Sequence, residues 1–285
     1  MKPMTFALAI AALTLAPVAA AQAQQAVTVQ PTLKSIAREV EIARDVQEIQ
    51  NLMSRRMYFH AAGQNEHELE LWSKRDDIRW MQNQGCWGRA SLFQAYDIDN
   101  KHMQQNDLDR IAKANPAVPD DFATERGVGS MAIHTLTTPI IVVANDLQSA
   151  KAVFYTPGAI LTTKDGVKPD GFWIWERYGV DLVKEDGQWK FLHIQVNTDF
   201  MNPMGEPLQP QGSDAATLGT ENVSNMDSKT EFRPKGPDAA MQTYREFGAT
   251  RVPIVWPRPP EPYKTLKATF EYADCSAAPG GNPSH

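Results

Sequence analysis

GFWIWERYGVDLVKEDGQWKFLHIQVNTDF, residues 171–200, is the stretch that decides the fold. Two apolar, aromatic-rich runs flank Lys184-Glu185-Asp186-Gly187, and Asp-Gly supplies the positive-φ positions of a tight turn, so the stretch predicts a long antiparallel hairpin. Period-2 alternation puts Trp189, Phe191, His193, Gln195 and Asn197 on one side of the return strand. Lys190, Leu192, Ile194 and Val196 fall on the other. On the outgoing strand Trp173, Trp175, Arg177 and Asp181 oppose Phe172, Ile174, Glu176, Tyr178, Val180 and Leu182. Each face mixes apolar bulk with polar groups, which suits a curved sheet with a pocket on its concave side.

Working outward, a helix is expected over 34–62. Its stripe Ile36, Val40, Ala43, Val46, Ile49, Met53, Met57 advances by three or four, and Gly63 ends it. Tyr58 and His60 are expected to point toward the core or a cavity. A short helix over 66–73, a strand over 78–82, a turn at 84–88 and a third helix over 89–104 follow. Residues 107–127 read as an insertion, with Pro119-Asp120-Asp121 starting a helical turn. Strands are expected at 129–136, 139–143, 149–156 and 159–163. Helices first and antiparallel strands after give an α+β fold with a helix laid across a curved sheet.

Beyond Phe200 the texture changes. Residues 201–237 are rich in Pro, Gly, Ser, Asn and Asp and predict a loop or extended arm. A helix is expected over 237–247, extended chain over 253–262 and a last strand over 266–272, with a disordered tail from Ser276. Trp256, Tyr263, Phe270 and Tyr272 are too apolar for a free linker, so the arm is expected to pack on the body or on a second subunit.

At the other end, Lys2 precedes an apolar run from Phe6 to Val18, and Ala21-Gln22-Ala23 has the small-x-small form of a secretory cleavage site. Residues 1–23 read as a signal peptide for a periplasmic or secreted protein. No apolar run reaches membrane-spanning length. The formal net charge is -6, and losing Lys2 makes it more negative, which leaves no electrostatic footprint for nucleic acid or an anionic membrane. The two cysteines, Cys86 and Cys275, are free or bridged for all the sequence says; neither they nor the histidines have zinc-site spacing.

The stretch from about Arg38 to Phe200 resembles the nuclear transport factor 2-like superfamily, in its SnoaL-like branch. The likeness rests on Ile49-x-x-Leu52-x-x-Arg55-Arg56-x-Tyr58, on Trp87-Gly88-Arg89, on His134 followed by Pro139-Ile140-Ile141-Val142-Val143-Ala144-Asn145-Asp146, and on Val183-Lys184-Glu185-Asp186-Gly187-Gln188-Trp189-Lys190-Phe191. It implies a cone-shaped α+β barrel with a deep pocket, commonly dimerising through the convex face, with scytalone dehydratase and ketosteroid isomerase among its relatives. The resemblance covers neither the insertion nor the arm. A secreted member with a long arm also looks like the lyases that remove formaldehyde, without cofactor, from lignin-derived diarylpropanes and phenylcoumarans.

A cofactor-free pocket enzyme needs an acid/base group whose pKa is tuned by an apolar surround. The catalytic candidates are His193, His134, Tyr58 and Arg177, with His193 first because it shares a face with Trp189 and Phe191. Arg177 would stabilise a phenolate or enolate. Residues expected to line the substrate are His60, Trp80, Trp87, Trp175, Tyr178 and Phe191. Asp77 and Asp199, at element ends, are weaker candidates because carboxylates there are usually solvated. There is no phosphate-cradling Gly loop, Gly-x-Ser-x-Gly elbow or Cys/His nucleophile pairing, which puts hydride transfer, phosphoryl transfer and serine hydrolysis aside. The expectation is a cofactor-independent lyase for a small aromatic substrate, in a homodimer or higher homo-oligomer. The alternatives are an isomerase or dehydratase on the same fold, or a non-catalytic binding module.

Overall fold

The computed structural model describes residues 31–82, 85–163, 167–208, 236–240, 247–250, 252–273 and 275. The expected signal peptide and the tail from Ser276 lie outside them, as do residues 209–235.

Helix α1 (Leu33–Ala61) starts at Thr32, whose hydroxyl accepts from the Ser35 amide, and stops at Gly63, where φ is +67°. The apolar stripe meets the body only in its second half. Ile49, Leu52, Met53 and Met57 are buried, whereas Ile36 and Val40 are exposed. Next come α2 (Asn65–Glu68), a 3₁₀ turn at Leu69–Leu71, β1 (Arg79–Gln82) and β2 (Gly85–Trp87). α3 (Arg89–Phe93) runs through a π-helical turn at Gln94–Asp99 into α4 (Asn100–Ala114), so the third helix reaches ten residues past its expected end and absorbs the start of the insertion. α5 (Phe122–Glu125) begins where expected, with the Asp121 carboxylate capping the Ala123 amide.

β3 (Met131–His134) and β4 (Thr137–Val143) both pair with β5 (Ser149–Thr163). β5 is one strand where two were expected: Pro157 and Gly158 continue it, because a Cβ at Gly158 would sit 1.9 Å from the Ile133 carbonyl oxygen and glycine lets β3 approach. β6 (Pro169–Glu185) and β7 (Gln188–Pro203) form the predicted hairpin, with Asp186 at φ +51° and Gly187 at φ +77° in the turn. With β8 (Ala239–Ala240) from the arm, the sheet order is β3-β5-β6-β7-β1-β2-β8, with β4 also on β5, and β1 runs parallel to β7. The sheet is curved, unclosed and mostly antiparallel.

The core lies between α1, the π-helical turn and the concave face. Phe154, Val180, Leu182, Phe191, Leu192, Ile194 and Val196 fill it from the sheet side. Asp45 on α1, fully buried, accepts from Lys184 Nζ (2.8 Å) and Trp189 Nε1 (3.0 Å), which pins the helix to the hairpin turn.

The arm departs from expectation in two places. Ala239–Ala240 form β8, paired antiparallel with β2, where a helix was expected; residues 241–246 lie outside the described set. Residues 266–272 form a 3₁₀ turn and extended chain, because their amides and carbonyls face side chains and turns rather than a neighbouring strand. A disulfide joins Cys86 on β2 to Cys275 at the arm's end, with Cα atoms 6.0 Å apart.

Candidate functional site

Two bulges decide which hairpin residues face the interior. Leu182 pairs with Phe191 but Asp181 pairs with His193, so Leu192 is an extra residue in β7. One inserted residue reverses the alternation beyond it. Trp189 and Phe191 therefore point into the cone, and so do Leu192, Ile194 and Val196. His193, Gln195 and Asn197 turn to the convex face. A second bulge, at Asp199, separates the pairs Trp175↔Phe200 and Glu176↔Thr198.

The expected pocket position of His193 is thereby corrected. It is buried beneath the arm, with Nδ1 2.9 Å from Asp181 Oδ2 and Nε2 3.1 Å from the Asp77 carbonyl. Arg177 also faces outward, donating to Asp199 Oδ2 (2.8 Å) and to the carbonyls of Ile254 and Trp256 in the arm (2.9 Å each). Trp175 stacks on Phe200 with ring centroids 4.9 Å apart on that same face. Tyr58 is 79% exposed, one position off the buried stripe of α1, and lines nothing. Asp77 is taken up by Arg75, whose guanidinium holds its carboxyl below the usual carboxylate value.

The other expected residues do turn inward. Phe191 packs edge-on against Trp72, and Trp80 lies between Trp87 (4.5 Å) and Tyr96 (5.3 Å). His60, His134 and Tyr178 meet inside the cone with residues the sequence reading passed over: Arg56, Glu68, Tyr96 and Glu176. Two of these four omissions had a signal. Arg56 lies in phase with Leu52, Met53 and Met57, a charge within an apolar stripe. Glu176 shares the inner face of β6 with Ile174, Tyr178 and Val180, a carboxylate within an apolar alternation.

The contacts close a ring. Glu68 Oε2 lies 3.0 Å from Arg56 Nε, and the Arg56 guanidinium carbon lies 5.4 Å from the centre of the Tyr178 ring. Tyr178 Oη donates to Glu176 Oε2 (2.9 Å), and Glu176 Oε2 lies 3.3 Å from His134 Nδ1. The His134 and His60 rings are 5.2 Å apart, and His60 Nδ1 returns to Glu68 Oε1 at 3.3 Å. Thr198 donates to the other Glu176 oxygen (3.2 Å) and Arg56 Nη2 to Tyr96 Oη (3.3 Å).

Almost all of this is out of water. Glu68 is fully buried, and Arg56, Glu176 and Tyr178 are nearly so. Burial pushes the Glu176 carboxyl above its ordinary value, against the Tyr178 hydrogen bond that favours its charge. Burial drives the His134 imidazole down to about 3, with His60 and Arg56 adding to the effect. Burial opposes the charge on Arg56, but Glu68 and the phenols outweigh it and hold the guanidinium well above its usual value. Arg56 Nη1, His134 Nδ1, both Glu68 oxygens, Thr156 Oγ1 and Trp80 Nε1 are buried with no hydrogen-bond partner, so the ring is held by charge and packing rather than by a satisfied hydrogen-bond network.

A separate surface cleft of about 680 Å³ lies away from this ring, lined by Arg79, Arg89, Phe93, Asp238 and the disulfide. Its Asp238 carboxylate is engaged by the Gly88 amide (2.8 Å) and the Ser91 hydroxyl (2.6 Å). The buried His134–Glu176 pair, in which an imidazole and a carboxyl are both pushed toward their neutral forms, is in the cone, and we place the site there.

No curated protein matches the chain. Among solved structures, an NTF2-like protein with a cystatin-like fold from Novosphingobium aromaticivorans is 14% identical, with TM-score 0.40, over 66% of this chain and 96% of its own. LinA is 14% identical, with TM-score 0.42, over 61% and 99%. A candidate scytalone dehydratase from Novosphingobium aromaticivorans is 15% identical, with TM-score 0.39, over 59% and 99%. None of these likenesses is close enough to lend this chain its chemistry. Residues 41–195, more than half of the 285, match the SnoaL-like domain family, and the chain belongs to that family.

Proposed function

We propose that this protein is a cofactor-independent lyase for a small aromatic molecule, exported by its leader, with His134 and Glu176 as its base. The observation that carries this reading is the opposite tuning of two touching groups. The same dry surround keeps an imidazole neutral and lifts a carboxyl beside it, 3.3 Å away. His134 Nδ1 lies 3.3 Å from the carboxylate without a hydrogen bond; in the tautomer that carries its proton there, Nε2 has the free lone pair. As Nε2 takes a proton from the substrate, Glu176 stabilises the imidazolium that forms.

The substrate class is a lignin-type phenolic dimer with a primary alcohol one carbon from a benzylic C–O bond. His134 removes the alcohol proton, and the O–H electron pair becomes the carbonyl of formaldehyde. The C–C bond breaks and its electrons form the new C=C bond. The benzylic C–O bond breaks as that C=C bond forms, and its oxygen leaves with the pair and takes up a proton. A dehydration runs the same way with a C–H in place of the alcohol. Trp80, Trp87 and Phe191 bring aromatic surface to the same interior, and Arg56 Nη1 is a buried donor for a phenolic oxygen.

The test is turnover of a panel of such dimers, read by mass change and formaldehyde release. General base catalysis contributes on the order of 10²–10⁴-fold, so His134→Gln and Glu176→Gln should lose about that much while still binding substrate. Near-full activity in both variants refutes the dyad. Binding by the wild type without turnover of any member gives the site to a non-catalytic module.

A further inference from the structure

The ring around the site holds a second imidazole–carboxylate pair that the base does not need. His60 Nδ1 lies 3.3 Å from Glu68 Oε1 and 3.2 Å from Asn65 Oδ1. Both neighbours are acceptors, so Nδ1 carries the proton and Nε2 is the atom free to exchange one. Glu68 is fully buried and also holds Arg56, so its place is fixed from two sides. The two pairs come from different elements. His60 and Glu68 belong to α1 and α2, His134 and Glu176 to β3 and β6, and the imidazoles are 5.2 Å apart. They differ in access to water: the His60 side chain is 25% exposed and the His134 side chain 5%.

We propose that His60, held by Glu68, is the general acid that protonates the leaving oxygen. This rests on the lyase reading above. A benzylic alkoxide or hydroxide is a poor leaving group, and the fragmentation needs a proton at that oxygen as the base takes one from the alcohol. His60 as imidazolium gives its Nε2 proton to the departing oxygen, the C–O electron pair stays with that oxygen, and His60 ends neutral. His134 ends as imidazolium. Across the 5.2 Å gap, or through solvent that reaches the more exposed His60, the proton returns and the resting state is restored with no net gain or loss. The 5.2 Å spacing of the rings places acid and base on one side of the substrate, so the alcohol proton and the leaving oxygen face the same wall.

The experiment compares two substrates in the full-length, disulfide-bonded protein. One dimer leaves water from its benzylic carbon; its partner carries a 4-nitrophenyl ether there, whose nitrophenolate departs without a proton. His60→Gln should slow the first by about 10²–10⁴-fold and leave the second within a few-fold of wild type. His134→Gln should slow both. Equal slowing of both substrates by His60→Gln overturns the acid role, and so does no slowing of either. A second readout stands apart from turnover. Imidazole NMR should show the two rings in contact, so that His134→Gln moves the His60 ring resonances and His60→Gln moves those of His134. Unmoved resonances in both variants overturn the pairing even if no substrate is turned over. Rings in contact with no turnover of either dimer sink the lyase reading and leave the pair intact.

Discussion

Glu176 and His134 feel the same burial and respond in opposite directions, and this has a thermodynamic signature. With the folded imidazole at about 3 and the ordinary value at 6.5, the unfolded chain binds a proton over that window and the folded chain does not. Stability tied to His134 is therefore lost as pH falls from about 6.5 toward 3. Glu176 works the other way: its raised folded value makes stability fall as pH rises from its ordinary value of 4.5 through the folded one. His134→Gln removes only the first effect. Urea unfolding between pH 7 and pH 4 should show the variant's stability falling less steeply than wild type, by on the order of 1 kcal/mol per pH unit. Identical slopes would show that His134 is not held neutral. Residues of this kind were half legible. His60, His134 and Tyr178 stand out in the sequence by type and position. Arg56 and Glu176 show in the sequence only as charges within apolar patterns, and Glu68 stands out only once its burial is known, since an isolated Glu or Arg in a sequence is ordinarily a solvated group.

The hairpin is the element on which the site depends, and its turn, length and strand pairing were readable from residues 171–200. Its phase was not. A bulge is a choice between two pairings that differ by one residue, and nothing in Phe191-Leu192-His193 marks Leu192 as the extra one. What settles it is the burial of Leu192, Ile194 and Val196 together with Trp189 and Phe191 on one face. The opposite face settles the matter again at Gly179, between Val153 and Gln195, where the Tyr272 ring lies against the sheet. A Cβ at Gly179 would come within 2.5 Å of that ring, which is closer than atoms pack. Gly179→Ala should therefore push the arm off its seat and cost about 1–3 kcal/mol. Chemical unfolding gives the magnitude, and faster protease cleavage between Val252 and Tyr272 gives the location. An alanine variant with unchanged stability and cleavage would mean that the arm does not rest on β6.

At the scale of the whole molecule the arm covers much of the convex face that the sequence reading gave to a second subunit. Tyr263 and Lys264 carbonyls accept from the Asn145 and Asp146 amides, and Gln195 lies between the Trp256 indole N–H and the Tyr272 carbonyl. That the arm's aromatics would be covered, by the body or by a second subunit, was the expectation from their number; the residues they meet on the sheet were not legible, because they depend on a face that the bulge created. The Cys86–Cys275 disulfide ties the far end, and closing so long a loop restricts the unfolded chain, so Cys275→Ser should lower stability by about 2–5 kcal/mol in denaturant. Unchanged stability would count against the bridge.

Between these ends sits the densest junction of arm and sheet. Asp181 pairs through one oxygen with the fully buried Lys151 of β5. Its other oxygen meets His193 Nδ1 on β7 and accepts from the Tyr272 amide in the arm, both at 2.9 Å. The Lys151 ammonium also faces the Phe270 and Tyr272 rings at 4.2 and 4.8 Å. Burial lowers the Lys151 pKa and Asp181 opposes that drop, so the carboxylate is what keeps a cation tolerable there. Asp181→Asn keeps the shape and removes the charge. It should cost about 3–5 kcal/mol, because a lysine is left buried without its counter-charge. Lys151→Met combined with Asp181→Leu removes both members and should recover most of that loss in urea unfolding. If the single variant loses less than about 1 kcal/mol, or the double variant loses more than the single, the charged junction is not what holds the arm to the sheet.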